Sequence, residues 1–201
     1  MKRVFLLLTV MLGLATMANA QEVGKYWVGG SLGFTAVDGD GSTDYNYKIV
    51  PEFGYVLSDK LGIGVKLGYQ HLENGTGTLI GEAISANGTG DIDILSINPF
   101  LRISCIKGNI GGLFVDAGAG YSHVKNEFNV LESYATIKQK ANIVEVGFRP
   151  GVALNVSDKV ALTAKFGFLG WQHGWGDITT TNKYGFDFNL DQALLGVNFV
   201  F

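Results

Sequence analysis

The sequence has little proline, a single cysteine and no long hydrophobic run after its first twenty residues. Only 3 of its 201 residues are proline, and Cys105 is the only cysteine, so no intramolecular disulfide can form. No stretch after residue 20 contains eighteen consecutive apolar residues, and apolar residues at helical spacing are hard to find. These absences exclude a disulfide-stapled scaffold and a helical membrane protein.

Positive charge is also scarce, and part of it lies in an expected signal peptide. Residues 1–20 combine the basic pair Lys2-Arg3, an apolar core and the small-x-small end Ala18-Asn19-Ala20. The exported chain, residues 21–201, would lose two bases and no acid, which lowers the formal net charge from −3 to −5. An acidic exported chain is a poor nucleic-acid binder, and we expect no nucleic-acid partner.

Glycine and alternating apolar residues dominate what remains. The chain has 29 glycines, and period-two alternation runs through most of it, which predicts an all-β protein. The end of the chain is the clearest case, because its odd positions form an unbroken apolar row: Ala193, Leu195, Val197, Phe199 and Phe201.

Eight strands are predicted, each about ten or more residues long. They cover roughly residues 25–35, 45–57, 61–70, 95–104, 113–122, 144–154 and 160–168, and the final strand ends at residue 201. Tight turns are expected at 58–60, 107–109 and 157–159, and long loops at 37–44, 73–90, 126–140 and 174–185. Alternation of long loops and tight turns is typical of an antiparallel up-and-down transmembrane β-barrel.

An internal repeat supports this strand count. The turn Ser58-Asp-Lys60 recurs as Ser157-Asp-Lys159, 99 residues later, between similar strands. The three prolines, Pro51, Pro99 and Pro150, fall on the apolar face of strands two, four and six. Since proline removes a ladder donor and a closed barrel has no edge strand, we expect a bulge or kink at each.

Together the signal peptide, the eight alternating strands, the repeated prolines, the Ser-Asp-Lys turns and the terminal Phe resemble the small bacterial outer-membrane β-barrels of the OmpA/OmpX-like porin family. The resemblance covers residues 21–201. It implies a location in the bacterial outer membrane, with both termini in the periplasm and the long loops outside. It also implies contact with outer-membrane lipid and lipopolysaccharide. The barrel assembly machinery would read Phe199 and Phe201 as the assembly signal.

Eight ionisable residues lie on the mixed, non-apolar faces of the predicted strands. A charge that faces lipid near the membrane midplane costs about 2–4 kcal/mol, so these side chains are expected to point into the lumen. There they would form a paired network that plugs the barrel, with neighbouring glycines making room for the long Arg and Lys stems. The eight are Lys48, Glu52, Lys66, Arg102, Asp116, Glu145, Arg149 and Lys165.

No residue pattern indicates a catalytic, cofactor or metal site. His71, His123 and His173 fall near the outer ends of strands three, five and seven, where we expect them beside aromatic residues of the membrane girdle. The acidic stretch 38–44 lacks the spacing of an EF-hand loop and is interpreted as a solvated turn. We therefore expect a protein that is not an enzyme and has no cofactor.

Two function classes stay open. The first is a non-enzymatic outer-membrane barrel with a plugged lumen, which contributes to envelope integrity or displays surface loops to a partner whose identity the sequence does not indicate. The second is a narrow porin-like channel for small solutes or ions. A lipid A-modifying barrel enzyme is a third and weaker alternative, because Ser122 and His123 are adjacent and so lie on opposite faces of a strand.

Overall fold

A computed structural model describes residues 23–39, 42–73, 90–108, 110–130, 135–177, 180–187 and 194–201. The expected signal peptide and most of the predicted loop 73–90 lie outside these ranges. Ten strand segments follow one another along the chain: β1 (Tyr26–Gly39), β2 (Ser42–Ser58), β3 (Leu61–Leu72), β4 (Gly90–Lys107), β5 (Gly111–Val130), β6 (Ala135–Ser157), β7 (Val160–Lys165), β8 (Phe168–Gly176), β9 (Thr180–Asp187) and β10 (Leu194–Val200).

These segments form a closed, eight-stranded antiparallel barrel. Each of β1 to β6 pairs with the next, β6 pairs with both β7 and β8, and β10 pairs with β7 and with β1. The seventh strand therefore consists of β7 and β8, and the eighth consists of β9 and β10. The prediction of eight strands and of an up-and-down barrel is confirmed.

The first and last strands close the barrel. Their register runs from Trp27 opposite Val200 to Ser31 opposite Gly196. At the chain end, Tyr26 and Phe201 exchange both backbone hydrogen bonds, with N···O distances of 3.2 and 2.8 Å. The last residue of the chain is thus part of the ladder that seals the barrel.

A bulge interrupts the seventh strand between β7 and β8. Gly151 pairs with Lys165 and Phe148 pairs with Leu169, so three steps on β6 face four on its partner. Gly167 takes up the extra residue with φ = 71°, which glycine adopts without strain. The extra residue reverses the alternation, because Lys165 and Phe168 both point inward. Regular period-two alternation along the predicted strand 160–168 would place Phe168 on the apolar outer face, but it is buried in the lumen.

The strands also extend through three of the four regions predicted as long loops. Gly39 pairs with Ser42, Val130 pairs with Ala135, and Trp175 pairs with Thr180. The apolar alternation of the sequence ends in these regions, but the backbone groups still satisfy one another by continuing the ladder. The barrel therefore has a loop end, where paired hairpins extend, and a turn end, where the tight turns and the described chain termini lie.

Two of the tight turns at the turn end share one construction. In the two Ser-Asp-Lys turns the serine hydroxyl accepts hydrogen bonds from the backbone, Ser58 from Lys60 and Leu61 and Ser157 from Lys159. The strand register shifts by one residue next to each of these two turns. A third shift of one residue lies between Ser104 and Ile106.

The prolines behave differently from expectation. A bulge or a kink is expected at each proline; at Pro51 and Pro99 the register is unchanged on either side, so neither position has a bulge. The pairing with one neighbouring strand simply omits the proline. Only Pro150 has a bulge next to it, in the neighbouring strand at Gly167.

The outer surface has an apolar band, which ends where the outward side chains change from apolar to charged. On β5 the outward positions are apolar from Leu113 to Tyr121, a span of the nine to eleven residues that cross a bilayer in a barrel strand. His123 follows, and Lys125 is the first outward lysine beyond it. Within the described ranges, no helix is long and apolar enough to cross a membrane.

Candidate functional site

The lumen is the part of the molecule in which ionisable groups converge. All eight predicted lumen residues lie on strand positions that alternate with the outward apolar row. Glu52 and Asp116 are only 1% and 2% exposed, although both are carboxylates. Burial of that degree requires opposite charges and hydrogen bonds, because an unpaired charge in such a place is very costly.

Five of the eight residues form one connected ion cluster, which we call the Glu52 cluster: Glu52, Lys66, Arg102, Asp116 and Lys165. Lys66 Nζ lies 2.7 Å from Asp116 Oδ2, and Arg102 Nη2 lies 2.8 Å from Glu52 Oε1. Lys165 forms an ion pair with Glu52 and lies 3.7 Å from Asp116 Oδ2. The cluster draws on strands β2, β3, β4, β5 and β7, so it ties five strand segments together across the lumen.

Arg102 is the central member, because it contacts both carboxylates. Its Nε donates to Asp116 Oδ1 at 2.8 Å, and its Nη2 donates to Asp116 Oδ2 at 2.9 Å. Two parallel bonds of this kind are stronger and more directional than one. The guanidinium also lies over the ring of Phe114, with 4.3 Å between the guanidinium carbon and the ring centroid.

Neutral donors complete the shell around Glu52. The indole Nε1 of Trp27 donates to Glu52 Oε1 at 2.9 Å, and the amide of Asn198 lies 3.5 Å from the same oxygen. These residues come from the first and the last strand. Glu52 is therefore coupled to the seam at which the barrel closes.

Several of the inward glycines receive aromatic rings. A Cβ atom at Gly54 or Gly62 would overlap the ring of Trp27, and one at Gly64 would overlap Phe100. Gly147 and Gly151 stand in the same relation to Phe168 and Phe114. The expectation that the inward glycines make room for Arg and Lys stems is therefore wrong at these five positions. Trp27, Phe100 and Phe114 each lie over the glycine that stands opposite them on the neighbouring strand, Gly54, Gly64 and Gly151, where a methyl group would displace the ring.

A second group, the Glu145 cluster, lies nearer the loop end and consists of Glu145, Arg149, Asn98 and Gln172. Arg149 Nη2 lies 2.8 Å from each oxygen of Glu145. Asn98 and Gln172 donate to the same carboxylate at 2.8 and 3.2 Å. Asp116 stands directly opposite Arg149 in the ladder, yet the Arg149 side chain turns toward Glu145 instead.

Lys48 is the only one of the eight lumen residues outside both clusters. It is half-buried and stands between Gly33 and Gln70 on the neighbouring strands. Within the part of the chain that the structure describes, Lys48 forms no hydrogen bond and no ion pair.

The three histidines lie on the outer face, at the border between the apolar band and the loop end. Each stands directly opposite an Asp or Asn of the next strand, and its Nδ1 lies 2.8 to 2.9 Å from that partner: His71 from Asp93, His123 from Asn142 and His173 from Asn182. Each also has an aromatic neighbour two residues before it. Tyr69 and Tyr121 donate to the same Asp93 and Asn142, and Trp171 stacks on His173.

The predicted assembly-signal residues belong to the closing strand. Phe199 pairs with Val28 on one side and Val160 on the other, and Phe201 pairs with Tyr26. Both are partly exposed.

Sequence reasoning missed the neutral members of the lumen. Four neutral side chains contact the carboxylates but were not predicted as lumen residues: Trp27, Asn98, Gln172 and Asn198. Their inward parity was a usable signal for all except Gln172, which follows the bulge at Gly167. No group of three or more His, Cys, Asp or Glu within the described ranges is arranged to hold a metal ion.

Comparison with known proteins gives a family match and several structural neighbours. The family model described as "Outer membrane protein beta-barrel domain" matches residues 4–201. No curated protein sequence gave a significant match.

Neisserial surface protein A (NspA) is 12% identical, with 88% of this chain and 98% of that chain covered and a TM-score of 0.49. The Yersinia pestis attachment invasion locus protein Ail is 12% identical, with 90% and 100% covered and a TM-score of 0.44. The N-terminal β-barrel domain of Pseudomonas aeruginosa OprF is 15% identical, with 90% and 100% covered and a TM-score of 0.39.

The geometry around Glu52 predicts a large stability loss when its charge is removed. Glu52→Ala would leave Arg102 and Lys165 with a carboxylate missing in a closed space, which should lower the free energy of unfolding by about 3–5 kcal/mol. The measurement is urea unfolding of the refolded protein in detergent micelles.

Glu127→Ala is the matched control. Glu127 also forms an ion pair, with Lys138 at 2.8 Å, but both side chains are at least half exposed. Its removal should cost less than about 1 kcal/mol. Equal losses for the two variants would contradict a structural role for the buried cluster.

Proposed function

The chain belongs to the outer membrane protein beta-barrel domain family, and we propose that it is a non-enzymatic barrel whose lumen is plugged by its own side chains. In this proposal the protein contributes to envelope integrity or presents its loop-end hairpins to a partner. The observation that carries the proposal is the Glu52 cluster, which joins strand segments on opposite sides of the lumen by short ion pairs.

The dimensions of the barrel support a plug over a pore. An eight-stranded barrel encloses a space just wide enough for side chains. Here the rings of Trp27, Phe100 and Phe114 occupy that space together with the five charged side chains of the cluster. A diffusing ion would have to separate Arg102 from two carboxylates before it could pass.

Conductance measurement tests the proposal directly. The purified protein, reconstituted in a planar bilayer, should give no steady ohmic current at moderate voltage. The matched variant Arg102→Ala removes the central cation and should give measurable openings, because Glu52 and Asp116 then lose their shared partner. Reproducible single-channel steps from the wild type would favour the narrow porin-like channel instead.

The three histidines give no support to the alternative of lipid A modification. Each ring is engaged by an Asp or Asn of the next strand. Ser122 stands on the inward face, opposite Ser96, whereas His123 stands on the outward face. The arrangement fits interfacial side chains that mark the edge of the apolar band.

We also propose that the loop end faces the cell exterior and that both termini are periplasmic. Outer-membrane barrels have short periplasmic turns and longer extracellular connections. The paired hairpins that extend past the apolar band, with Lys125 and Glu127 facing outward, match the extracellular side.

Thiol labelling of intact cells tests this orientation. In a Cys105→Ser background, because Cys105 is exposed, a cysteine at Thr180 should react with a membrane-impermeant reagent. A cysteine at Asp158, in a turn of the other end, should react only after the outer membrane is permeabilised. The opposite pattern would reverse the orientation.

The final proposal concerns recognition of Phe199 and Phe201 by the barrel assembly machinery. Phe201 is both the chain end and a seam residue, so its deletion should leave export intact and slow insertion. Unfolded protein should then accumulate in the periplasm, measured as the fraction that lacks heat-modifiable gel migration. Phe166→Ala, which alters a phenylalanine away from the chain end, is the control. Normal assembly of the truncated chain would contradict the role.

A further inference from the structure

We propose that the lumen, on the loop side of the Glu52 cluster, binds one small inorganic anion of halide size. The inference rests on the closed lumen proposed above and adds a ligand to it. The site is a cavity of about 70 Å³ between the two ion clusters. We call it the loop-side cavity.

The lining of this cavity combines an excess of cationic groups with apolar side chains such as Val50, Ile94 and Ile143. Lys48, Lys66, Arg149 and Lys165 contribute four positive groups, and Glu145 contributes the one carboxylate. The polar side chains of Gln70, Ser96 and Ser122 also line it, and all three can donate hydrogen bonds. The lining residues come from several strands, so the sequence of any one strand does not indicate this combination.

The charges of the two clusters do not balance. The Glu52 cluster holds three cations and two carboxylates, and in the Glu145 cluster one cation meets one carboxylate. Lys48 adds a further cation that no described residue pairs. Together the eight lumen residues carry two more positive than negative charges. The loop-side cavity is bordered by Lys48 and by Lys66 and Lys165, the two lysines of the Glu52 cluster.

Burying unpaired positive charge in a protein interior is costly, and a bound counter-ion offsets that cost. The strand neighbours of Lys48 provide no carboxylate, because one is Gly33 and the other is Gln70. A cavity needs about 10–15 Å³ for each water molecule, so this one has room for a few waters or for one small anion with its remaining shell. An anion supplies the missing charge, which water does not.

The inference predicts that small anions stabilise the folded barrel. The test uses the full exported chain refolded in a non-ionic detergent, so that the added salt is the only source of anions. Sodium gluconate, whose anion is much larger than a halide, is replaced stepwise by sodium chloride at constant ionic strength. The midpoint of thermal unfolding should rise by about 3–5 °C for each tenfold increase in chloride above its dissociation constant.

Two variants separate anion binding from a general salt effect. Lys48→Glu places a carboxylate in the cavity and removes both surplus charges, so its midpoint in gluconate should equal or exceed that of the wild type and should not respond to chloride. Lys138→Met removes an exposed lysine at the loop end, outside the lumen, and should keep the full chloride response. If Lys48→Glu does not refold, Lys48→Gln replaces it and should show a reduced response.

A chloride-independent wild-type midpoint would overturn the proposal, and so would an undiminished response in the Lys48 variants. Crystals soaked in bromide give a direct check, because an anomalous peak is expected in the loop-side cavity and its absence would count against the site. Bilayer conductance is measured separately. A conducting wild type would refute the plug itself, whereas a silent wild type without chloride dependence would refute the anion site alone.

Discussion

The rest of the structure depends on one constraint: within the apolar band of this barrel, a charged side chain can point only into the lumen. The outer face borders an apolar solvent, and the interior of eight strands has little free volume. Ionisable residues within the apolar band must therefore point inward and find partners there. Arg102 satisfies this constraint best, because one guanidinium serves two carboxylates and stacks on an aromatic ring. The rings in turn require glycine on the neighbouring strand. Charge pairing thus dictates aromatic placement, and aromatic placement dictates glycine.

Strand number, antiparallel order and the inward set of ionisable residues could be predicted from the sequence, because all three follow from period-two alternation. Partner choice could not. Asp116 stands between Arg102 and Arg149 in the ladder and pairs with Arg102, whereas Arg149 pairs with Glu145 four residues away on its own strand, and the sequence does not distinguish these choices. The exchange of inward and outward positions at Gly167 could not be predicted either, because a strand with one inserted residue has the same composition as a regular strand. The extent of the hairpins was missed for a third reason, that backbone pairing continues where the apolar pattern ends.

The aromatic and histidine pairs on the outer face repeat the same local geometry three times. In each, a histidine and an Asp or Asn face one another across a hairpin, at the level where outward residues change from apolar to charged. The polar partner lets the ring hold an orientation at a boundary between two solvents. The sequence alone indicated the histidines and their height, but the partners come from the next strand and depend on register.

The length of the hairpins at the loop end has a consequence for molecular recognition. β6 contains 23 residues, or about 75 Å of extended strand, which rises about 55 Å along the barrel axis at the usual strand tilt, whereas the apolar band of such barrels is about 25 Å tall. Much of β5 and β6 therefore stands clear of the hydrocarbon as a paired ribbon that is continuous with the barrel wall. A partner that binds this ribbon would lose little conformational entropy from it, because the backbone is already ordered. Its affinity would depend mainly on side chains presented on a stiff, twisted surface.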